Sequence, residues 1–575
     1  MRFVLPAGLL VYTALALASM RTTSSVFDEA AHLPAGYTYL ALRDFRMNPE
    51  HPPLVKELAA LPLLFMDVKM RAEGEVWQLH RQWEFGNRFL YHWNDADRLL
   101  FWGRLPVVAL GCALAAAVFL WTRARFGPTA GAIALLLCVL SPDVLAHGQI
   151  VTTDVAIALF VFLTVIAFQA VTERVAVGRV LLAGLAAGAA CASKFSAPVL
   201  APTLAALALV IAASREPLVV AIGRERRPVG GAGHKLGVLV LVLAAMTVVA
   251  LAVVWATYGF QGALANDAAA AQSFEWSNVE PSRAFPKAAV AALRRAHVVP
   301  DAFLFGLLRV YRHSESRPAF LFGQVSDRGW WYYFPATFLL KTPPALIALL
   351  ALPYVLRRGT PTRPPPFLWV PVLVYAAATL TRSLNIGHRH LLPIYPFLFA
   401  AAGRGAASVL EGGRRGRAAV AVLCAWYCIS VLRVHPHYLG YFNELAGGPS
   451  RGWRYLVDSN LDWGQDLKAL KAWTDEHGVA HLKLSYFGTA DPAYYGIPCD
   501  LLPSYMLPPP RGMVGEVRAG EVVAVSATNL QGVYMNEEWK PLMARLRALT
   551  PIDRVGYSIF VFKPDFSASV PIPER

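Results

Sequence analysis

Charged residues are scarce in this sequence. They make up 16% of its 575 residues, whereas apolar residues make up 56%. Soluble globular domains carry about 25% charged residues, so this shortage excludes an ordinary soluble fold and favours a membrane-embedded one. The formal net charge of +15 does not indicate a nucleic-acid partner, because no basic stretch is interleaved with stacking aromatic residues.

Cysteine pairs, repeats and a nucleotide-binding domain are also missing from the sequence. Five of the six cysteines lie in apolar segments, which predicts buried thiols and no disulfide framework. No internal repeat is visible, so the sequence gives no support to the duplicated halves that many transporters contain. A soluble enzyme that uses nucleotide sugars would need an α/β nucleotide-binding domain, and the sequence shows none.

The sequence does contain long apolar runs. A spanning helix needs about 20 apolar residues, and shorter spans are tolerated where neighbouring helices shield them. We therefore predict an all-α polytopic membrane protein with about eleven spanning helices, the first of them retained rather than cleaved. The runs are 3–22, 101–121, 129–146, 153–171, 179–193, 196–213, 236–258, 333–356, 366–380, 389–402 and 418–434.

The loop charges predict the orientation of these helices. If the N-terminus is cytoplasmic, the five cytoplasmic loops contain fifteen Arg and Lys residues and four Glu residues. Cytoplasmic loops are enriched in positive charge, so this orientation is favoured. The long segments 23–100 and 259–332 then face outward, together with the tail that begins at 435. Both long segments contain stretches with the spacing of amphipathic helices at a membrane surface.

The tail has a different composition, which predicts two domains, 1–434 and 435–575. The stretch 461–478 reads as an amphipathic helix that ends at Gly478, and three runs at 481–488, 521–528 and 557–564 have strand-like patterns. We predict a small extracytoplasmic α/β module that contacts the acceptor or supports the fold.

The segment 24–56 carries the first candidate residues. Asp28 and Glu29 follow the first apolar run by about one helical turn, and a carboxylate in a partly dry site can act as a general base. A solvated acidic pair beyond a helix end is the alternative. Glu50 and His51 lie in a turn made rigid by three prolines; they are either ligands of a divalent metal ion or parts of a polar turn.

The other candidates lie at the predicted outer ends of later helices. Asp154 is either a helix cap or a site residue, with His147 and Gln149 nearby. Lys194 and Arg389 interrupt apolar segments; each is either an interfacial anchor or a cation for a lipid phosphate. The aromatic stretch 330–334 reads as a membrane belt or as a groove for an isoprenoid chain or a sugar.

These features resemble one family of enzymes. The motifs are the acidic pair after the first helix, the Pro-rich turn, the outer Asp154, WYYFP before a helix, GHRHLLPIYPF, and YFNELAGGP with DSNLDWGQDLK. They resemble bacterial lipid-carrier-dependent glycosyltransferases of the GT-C fold, of glycosyltransferase family 39 type. Protein O-mannosyltransferases and the aminoarabinose transferase of lipid A are members of this group.

The resemblance implies inverting transfer of a sugar from a polyprenyl-monophosphate donor to an acceptor hydroxyl. It implies that Asp28 is the base and Glu29 its acidic neighbour. Glu50 and His51 match a Glu-Lys pair in which Glu binds a metal ion and Lys contacts phosphate. Four residues would therefore serve the donor phosphate: His51, Lys56, Lys194 and Arg389.

Three further residues, Asp154, His147 and Gln149, would contact the acceptor or the sugar. Gln149 stands where the mannosyltransferases have an arginine. The resemblance places the protein in a bacterial inner membrane, with its active site facing the periplasm or exterior. The acceptor, which is a protein, a lipid or a glycan, and the identity of the sugar are not specified by the sequence.

Two other functions remain open at this point. A transporter or flippase of a lipid-linked solute would need ionisable groups near the bilayer midplane, whereas here they cluster at the ends of the runs. A polymerase or ligase of surface polysaccharide would use lipid-diphosphate donors instead of monophosphates.

Overall fold

The structure is a computed structural model that describes residues 3–223, 225–262, 274, 276–279, 287–356, 365–381, 384–509 and 512–572. The predicted outer segment 259–332 lies partly outside these residues, and the predicted cytoplasmic loop 357–365 lies almost wholly outside them. The described chain is mostly helical. Each of the eleven apolar runs contains a helix.

Five described helices are long and apolar enough to cross a membrane: Val4–Thr22, Ala96–Phe126, Asp154–Glu173, Ala232–Thr257 and Arg414–Leu432. A sixth span is formed if the bent pair Tyr333–Lys341 and Pro344–Val355 counts as one. Shorter apolar helices are Pro128–Val139, Val177–Ser193, Ala197–Ala213 and Pro366–Leu380. The chain is therefore a multi-pass membrane protein, and the count of eleven spans stays a prediction.

The bent pair turns by 96° between Lys341 and Pro344. Two prolines at 343 and 344 remove backbone donors, which breaks the helix and leaves carbonyl groups without helical partners. The Asn443 amide donates to two of these carbonyls, at 2.6 Å to Leu339 and 2.8 Å to Thr342. A broken helix at membrane depth is stable when other protein groups satisfy its backbone in this way.

Three of the predicted cytoplasmic loops, 122–128, 172–178 and 214–235, contact one another. Loop 214–235 contains a hairpin, Leu218–Ile222 with Glu225–Val229, that the sequence did not predict. Val175, from the neighbouring loop, exchanges backbone hydrogen bonds of 2.8 Å with Val219 and Ala221 of this hairpin. Two loops are further joined by an ion pair between Arg125 and Glu173.

The segment 23–100 folds into short helices that pack into a core. Its α-helices are Glu29–Leu42, Leu54–Ala60, Gly74–Gln78 and Gln82–Asn87, with a 3₁₀ helix Leu61–Phe65 and a π-helical turn Arg88–His92. The sequence predicted surface helices at 54–65 and 77–93, but Ala59, Phe85 and Phe89 are fully or almost fully buried. These side chains therefore form part of the core of the outer segment instead of lying only at the membrane surface.

The helix Glu29–Leu42 was missed because Pro34 lies inside it. A proline cannot donate to the carbonyl four residues earlier, which here belongs to Ala30. Gly86 packs directly against that carbonyl oxygen, since a Cβ at Gly86 would lie 1.7 Å from it. The absence of a side chain at 86 thus lets two helices of the outer segment meet closely.

Further helices between the outer segment and the tail are Pro142–His147, Lys287–Arg295, Asp301–Ser314 and Tyr395–Glu411. In the same region, the short strand Ala319–Leu321 pairs with Gln324–Ser326. The helix Leu200–Ala213 follows a 3₁₀ turn, Ala197–Val199. The 3₁₀ helix His388–Ile394 leads into Tyr395–Glu411 and carries both histidines of the GHRH motif.

The tail contains a five-stranded sheet. Its order is Cys499–Leu501, Leu482–Ser485, Val523–Ser526, Ile559–Phe562 and Asp553–Val555; the first three strands are parallel and the last two pairings are antiparallel. Each of the three strand-like runs contains one of the central strands. Helices Leu467–Glu476, Ala527–Leu530 and Lys540–Ala548 and the small pair Glu516–Val517 with Ala568–Ser569 complete the tail.

The tail is joined to the outer segment by backbone hydrogen bonds. Ser24 donates to the carbonyl of Gln465 at 2.9 Å, and Phe27 donates to that of Trp463 at 2.8 Å. The stretch 458–466, which begins with a short 3₁₀ helix Asp458–Asn460, therefore lies directly beside the residues around Asp28. The two-domain division at 434 stays a prediction.

Candidate active site

Four charged side chains from distant parts of the sequence meet in one group. An Arg389 Nη atom lies 3.1 Å from an Asp28 carboxylate oxygen and 3.4 Å from an Asp154 oxygen. The Lys194 ammonium lies 2.5 Å from the other Asp154 oxygen. Asp154 is fully buried and the two cations are nearly so. Two carboxylates and two cations therefore alternate in a site that is largely shielded from bulk water.

Each member of this group stands at the end of a helix. Asp28 precedes Glu29–Leu42, Asp154 begins Asp154–Glu173, and Lys194 follows Val177–Ser193. The cap residue of this helix is Thr153, and the two Asp154 oxygens face Lys194 and Arg389. A role for Asp154 in the site stays a prediction that these two ion pairs support.

Arg389 is held in place by an aromatic ring. Its guanidinium carbon lies 4.1 Å from the centroid of Trp463, a geometry in which a cation is attracted to the ring face. Gly387 brings the chain close to this stretch, because a Cβ at Gly387 would lie 2.3 Å from the Ser459 hydroxyl. The Arg389 Nε has no hydrogen-bond partner among the described residues, so a buried donor is available to a ligand.

The tail stretch 458–466 supports the same group. The Asn460 side chain accepts from the His388 backbone at 2.8 Å and donates to the Tyr333 hydroxyl at 3.0 Å. Sequence reasoning did not place Trp463 or Asn460 in the site. The signal that could have found them is the density of polar residues in DSNLDWGQD, since polar side chains are rarely buried without a specific partner.

Glu29 has a different position from its neighbour Asp28. It is fully buried, and its carboxylate receives two hydrogen bonds from Arg104, at 2.6 and 2.8 Å. It also accepts from the backbone of Val26 and of Val151, both at 2.9 Å. Glu29 thus ties together the first helix end, the helix Ala96–Phe126 and the loop before Asp154. These contacts fix the position of Glu29, and its role as the acidic neighbour of the base stays a prediction.

A second group of side chains shares Asp28. The possible ligand atoms of Asp28, His32 and His51 all lie within 4.8 Å of one another. The His32 Nδ1 lies 2.9 Å from the carbonyl oxygen of Val151, which can only accept, so Nδ1 carries the proton and Nε2 keeps its lone pair. Burial lowers the pKa of His32, and it holds the pKa of His51 well below its usual value. These three residues could hold a metal ion.

Glu50 is not one of these three residues, and its expected role as a metal ligand stays a prediction. Its carboxylate forms an ion pair with Arg309 at 3.0 Å and accepts from Gln82 at 2.9 Å and Asn48 at 3.0 Å. Burial alone would raise the pKa of Glu50, but Arg309 and the hydrogen bonds outweigh burial and the pKa is lowered. Glu50 therefore joins the Pro-rich turn to the helix Asp301–Ser314.

Lys56 is also used inside the Pro-rich turn. Its ammonium donates to the carbonyls of Asn48 and His51, both at 2.7 Å, and to the Tyr39 hydroxyl at 2.8 Å. It is fully buried, and this burial lowers its pKa to about 7. Lys56 therefore holds the turn and, through it, His51, and its expected donor-phosphate role stays a prediction.

The remaining candidates, His147 and Gln149, are both buried. The His147 ring lies 6.0 Å from that of Trp463, close to the charged group. Gln149 instead lines another cavity, together with Thr23, His437 and Asp466. The structure thus brings His147 beside Trp463, while Gln149 lines this cavity.

Part of this site lies in a segment that matches a protein-family model. Residues 98–222 match the family model described as dolichyl-phosphate-mannose-protein mannosyltransferase. The matched segment supplies Asp154 and Lys194 of the charged group and Arg104, the partner of Glu29. The resemblance predicted from the sequence is confirmed for this segment, whereas Asp28 and Arg389 lie outside it. No curated protein matches the sequence.

Three solved structures have a similar fold. ArnT from Cupriavidus metallidurans in the apo state is 12% identical, with a TM-score of 0.45 and 96% of each chain covered. The same protein bound to undecaprenyl phosphate gives 11% and 0.43, with 96% of this chain and 97% of that chain covered. The oligosaccharyltransferase AglB from Archaeoglobus fulgidus, in complex with an inhibitory peptide and a dolichol-phosphate, gives 14% and 0.42, with 75% of this chain and 55% of that chain covered.

Proposed function

We propose that the protein is an inverting glycosyltransferase that moves a sugar from a polyprenyl-monophosphate donor to an acceptor hydroxyl. The observation that carries this proposal is the convergence of Asp28, Asp154, Lys194 and Arg389 in one shielded group. Such a group contains a carboxylate that can take a proton and two cations that can hold a phosphate.

The chemistry follows from these two parts. The acceptor oxygen attacks the anomeric carbon, the bond from that carbon to the phosphate oxygen breaks, and the lipid phosphate leaves with the bonding electron pair. The acceptor proton passes to the Asp28 carboxylate, since a hydroxyl is a poor nucleophile without a base. Arg389 and Lys194 stabilise the charge that develops on the phosphate, so the leaving group needs no proton. A single displacement of this kind inverts the anomeric configuration.

The loop charges support an extracytoplasmic site in a bacterial inner membrane. Three of the positively charged loops contact one another: Val175 bonds to the hairpin at 218–229, and Arg125 pairs with Glu173. Asp28, Asp154, Lys194 and Arg389 stand at the opposite ends of their helices. Because positive loops stay in the cytoplasm, the site faces the other side, where a carrier lipid can present its sugar. The lipid chain remains in the bilayer and its head reaches the group.

Arg389 should be sensitive even to a conservative change. We expect Arg389→Lys to weaken binding of undecaprenyl phosphate about tenfold or more, because Lys loses both the planar fork of donors and the stacking on Trp463. Titration of purified protein in detergent with the lipid measures this. Arg328→Lys, at an exposed position, is the matched control and should bind as the wild type does. Equal affinity of Arg389→Lys and wild type would contradict the assignment.

A divalent metal ion is the second part of the proposal. Asp28, His32 and His51 would hold it; two imidazoles with one carboxylate suit zinc, and a bound ion would supply positive charge beside the donor phosphate. The buried Nδ1 of His51 supports this fit, because it has no hydrogen-bond partner among the described residues. The Val151 carbonyl orients His32, as second partners of metal-ligating histidines generally do.

Metal content tests this part without an activity assay. After dialysis against zinc, elemental analysis should find about one bound equivalent in the wild type and much less in His32→Ala, since removal of a ligand weakens a three-ligand site. The exposed His92, changed to Ala, is the control in the same outer segment and should leave the content unchanged. The same zinc content in wild type and His32→Ala would refute the metal site.

Product analysis tests the proposed function as a whole. Purified protein in liposomes is supplied with a polyprenyl-monophosphate hexose or its diphosphate counterpart and with a cell-envelope extract as the source of acceptors. Mass spectrometry should find a glycosylated product and free polyprenyl monophosphate with the first donor only. A product from the diphosphate alone, or solute flux without any covalent product, would contradict the proposal.

A further inference from the structure

The tail holds the backbone that leads into Arg389. The Ser459 hydroxyl donates to the carbonyl of Ile386 at 2.7 Å, and the Asn460 side chain accepts from the His388 backbone at 2.8 Å. Arg389 itself lies in the short 3₁₀ helix that begins at His388. The residues that precede the guanidinium are therefore attached to the tail on one side.

The side-chain contacts of Arg389 alone would not keep it in place during the proposed reaction. Asp28 and Asp154 pair with it in the structure. During transfer, however, Asp28 has to take a proton and the donor phosphate has to compete for the guanidinium, so these pairings change. Trp463 remains, but the face of a ring attracts a cation without fixing the direction of its N–H groups. The direction of the guanidinium must therefore come from the residues that hold its backbone.

The His388 ring supplies such a support from inside the protein, where it is 1% exposed. Its Nδ1 lies 3.1 Å from the Thr337 hydroxyl. That hydroxyl donates to the carbonyl of Phe334 at 3.0 Å, so it accepts from Nδ1, which carries a proton. The Nε2 atom lies 2.7 Å from the Tyr395 hydroxyl. Thr337 and Tyr395 belong to two different helices, so the ring joins both of them to the residue before Arg389.

A buried carboxylate lies beside the same ring. An Asp143 oxygen is 3.4 Å from the His388 Nε2, and it has no hydrogen-bond partner in the part of the chain that the structure describes. Asp143 is 4% exposed, and a carboxylate at this depth needs a positive partner. The His388 ring can be that partner when both of its nitrogens carry protons. Asp143 stands in the short helix Pro142–His147, and no step of the proposed transfer uses it.

We propose that His388, paired with Asp143, is a positioning residue that directs the Arg389 guanidinium toward the donor phosphate. The inference rests on the proposed function and adds a pair of residues to it. Groups from three helices fix the ring, so the next residue along the chain leaves the backbone in a fixed direction. The guanidinium can then exchange a carboxylate for a phosphate while its backbone stays in place. Donors that are preorganised in this way need no rearrangement at the moment of reaction.

Binding of undecaprenyl phosphate to the purified full-length protein in detergent tests the proposal. We expect binding about tenfold weaker than in the wild type for His388→Gln and for Asp143→Asn, because each change frees the backbone of Arg389. The matched control is His481→Gln, at an exposed position of the tail, which should bind as the wild type does. Thermal unfolding of each variant checks that the fold is kept.

A double variant separates positioning from a general effect on the fold. A residue that acts through Arg389 has little left to act on once the guanidinium is gone. His388→Gln added to Arg389→Lys should therefore weaken binding by no more than about a further twofold, since residues that act as one unit are not additive. A role in the fold alone would instead add its full effect in both backgrounds.

Two changes at Thr337 keep the proposal testable if His388→Gln and Asp143→Asn unfold. Thr337→Val keeps the shape of the side chain and removes the acceptor of the ring Nδ1, whereas Thr337→Ser keeps the acceptor and removes a methyl group. We expect binding of the lipid to be about threefold weaker in Thr337→Val and largely restored in Thr337→Ser. A contribution from packing alone would give the reverse order.

Three results would overturn the positioning role although the wild type binds the lipid. They are wild-type affinity in both His388→Gln and Asp143→Asn, full additivity of His388→Gln with Arg389→Lys, and weaker binding in Thr337→Ser than in Thr337→Val. A wild type that does not bind undecaprenyl phosphate at all would instead refute the assignment of the donor, and the positioning role would fall with it.

Discussion

Asp28→Asn should lower the rate of sugar transfer about 10³-fold, because a positioned general base typically contributes between 10² and 10⁴. The amide keeps the shape of the side chain and can still lie beside Arg389, but it cannot take a proton from the acceptor. The amount of protein in the membrane should not change. Initial rates of transfer in liposomes, with equal amounts of wild type and variant, measure the effect.

The control for this variant is an acidic residue of the same outer segment. Asp67 is exposed, and Asp67→Asn should transfer sugar at the wild-type rate. The comparison removes any general effect of lost negative charge near the membrane. Asp28→Asn that keeps more than about a tenth of the wild-type rate would show that another group takes the proton.

Arg104→Ala should unfold or strongly destabilise the protein. Glu29 would remain fully buried with an unpaired negative charge, and breaking a buried ion pair by removing one partner costs about 3–5 kcal/mol. Arg104 also donates to the backbone carbonyls of Met20, Thr23 and Ser24, so the link between the first helix and the outer segment would be lost as well. Heating followed by size-exclusion chromatography in detergent should show a markedly lower midpoint of unfolding.

Two further variants test whether the stability lost in Arg104→Ala comes from the unpaired charge of Glu29. Arg98→Ala, at an exposed position of the same helix, should unfold at the wild-type temperature. The double variant Glu29→Gln with Arg104→Met should recover part of the lost stability, because it leaves no buried charge behind. Arg104→Ala with wild-type stability would mean that Glu29 is not held as the structure shows, and its role would again be open.

The two neighbours Asp28 and Glu29 show how far sequence reasoning reaches. Their position after the first apolar run predicted a polar region at a membrane edge. Sequence alone did not separate their roles, because the partner of Glu29 is Arg104, which lies 75 residues further along the chain. Asp28 pairs with Arg389 instead. The same argument applies to Asp154, because its ion-pair partners Lys194 and Arg389 lie 40 and 235 residues further along.

Other parts of the site were beyond the sequence for physical reasons. The apolar runs predicted helices because burial in a bilayer requires them, and helix ends that share a membrane face bring their charged residues together. No such rule connects Trp463 with Arg389, or His32 with His51, since loop and tail contacts have no periodic pattern. Pro34 argued against the very helix that carries His32. The histidine pair and the tail stretch 458–466 therefore became visible only in three dimensions.

The central claim is that the charged group holds the donor phosphate beside the base. A cryo-electron microscopy structure of the protein with undecaprenyl phosphate tests it most directly. We expect the phosphate oxygens at about 2.7–3.2 Å from nitrogens of Arg389 and Lys194, with Asp28 next to the position of the sugar. A phosphate bound elsewhere, with Arg389 and Lys194 still paired only with Asp28 and Asp154, would contradict the claim.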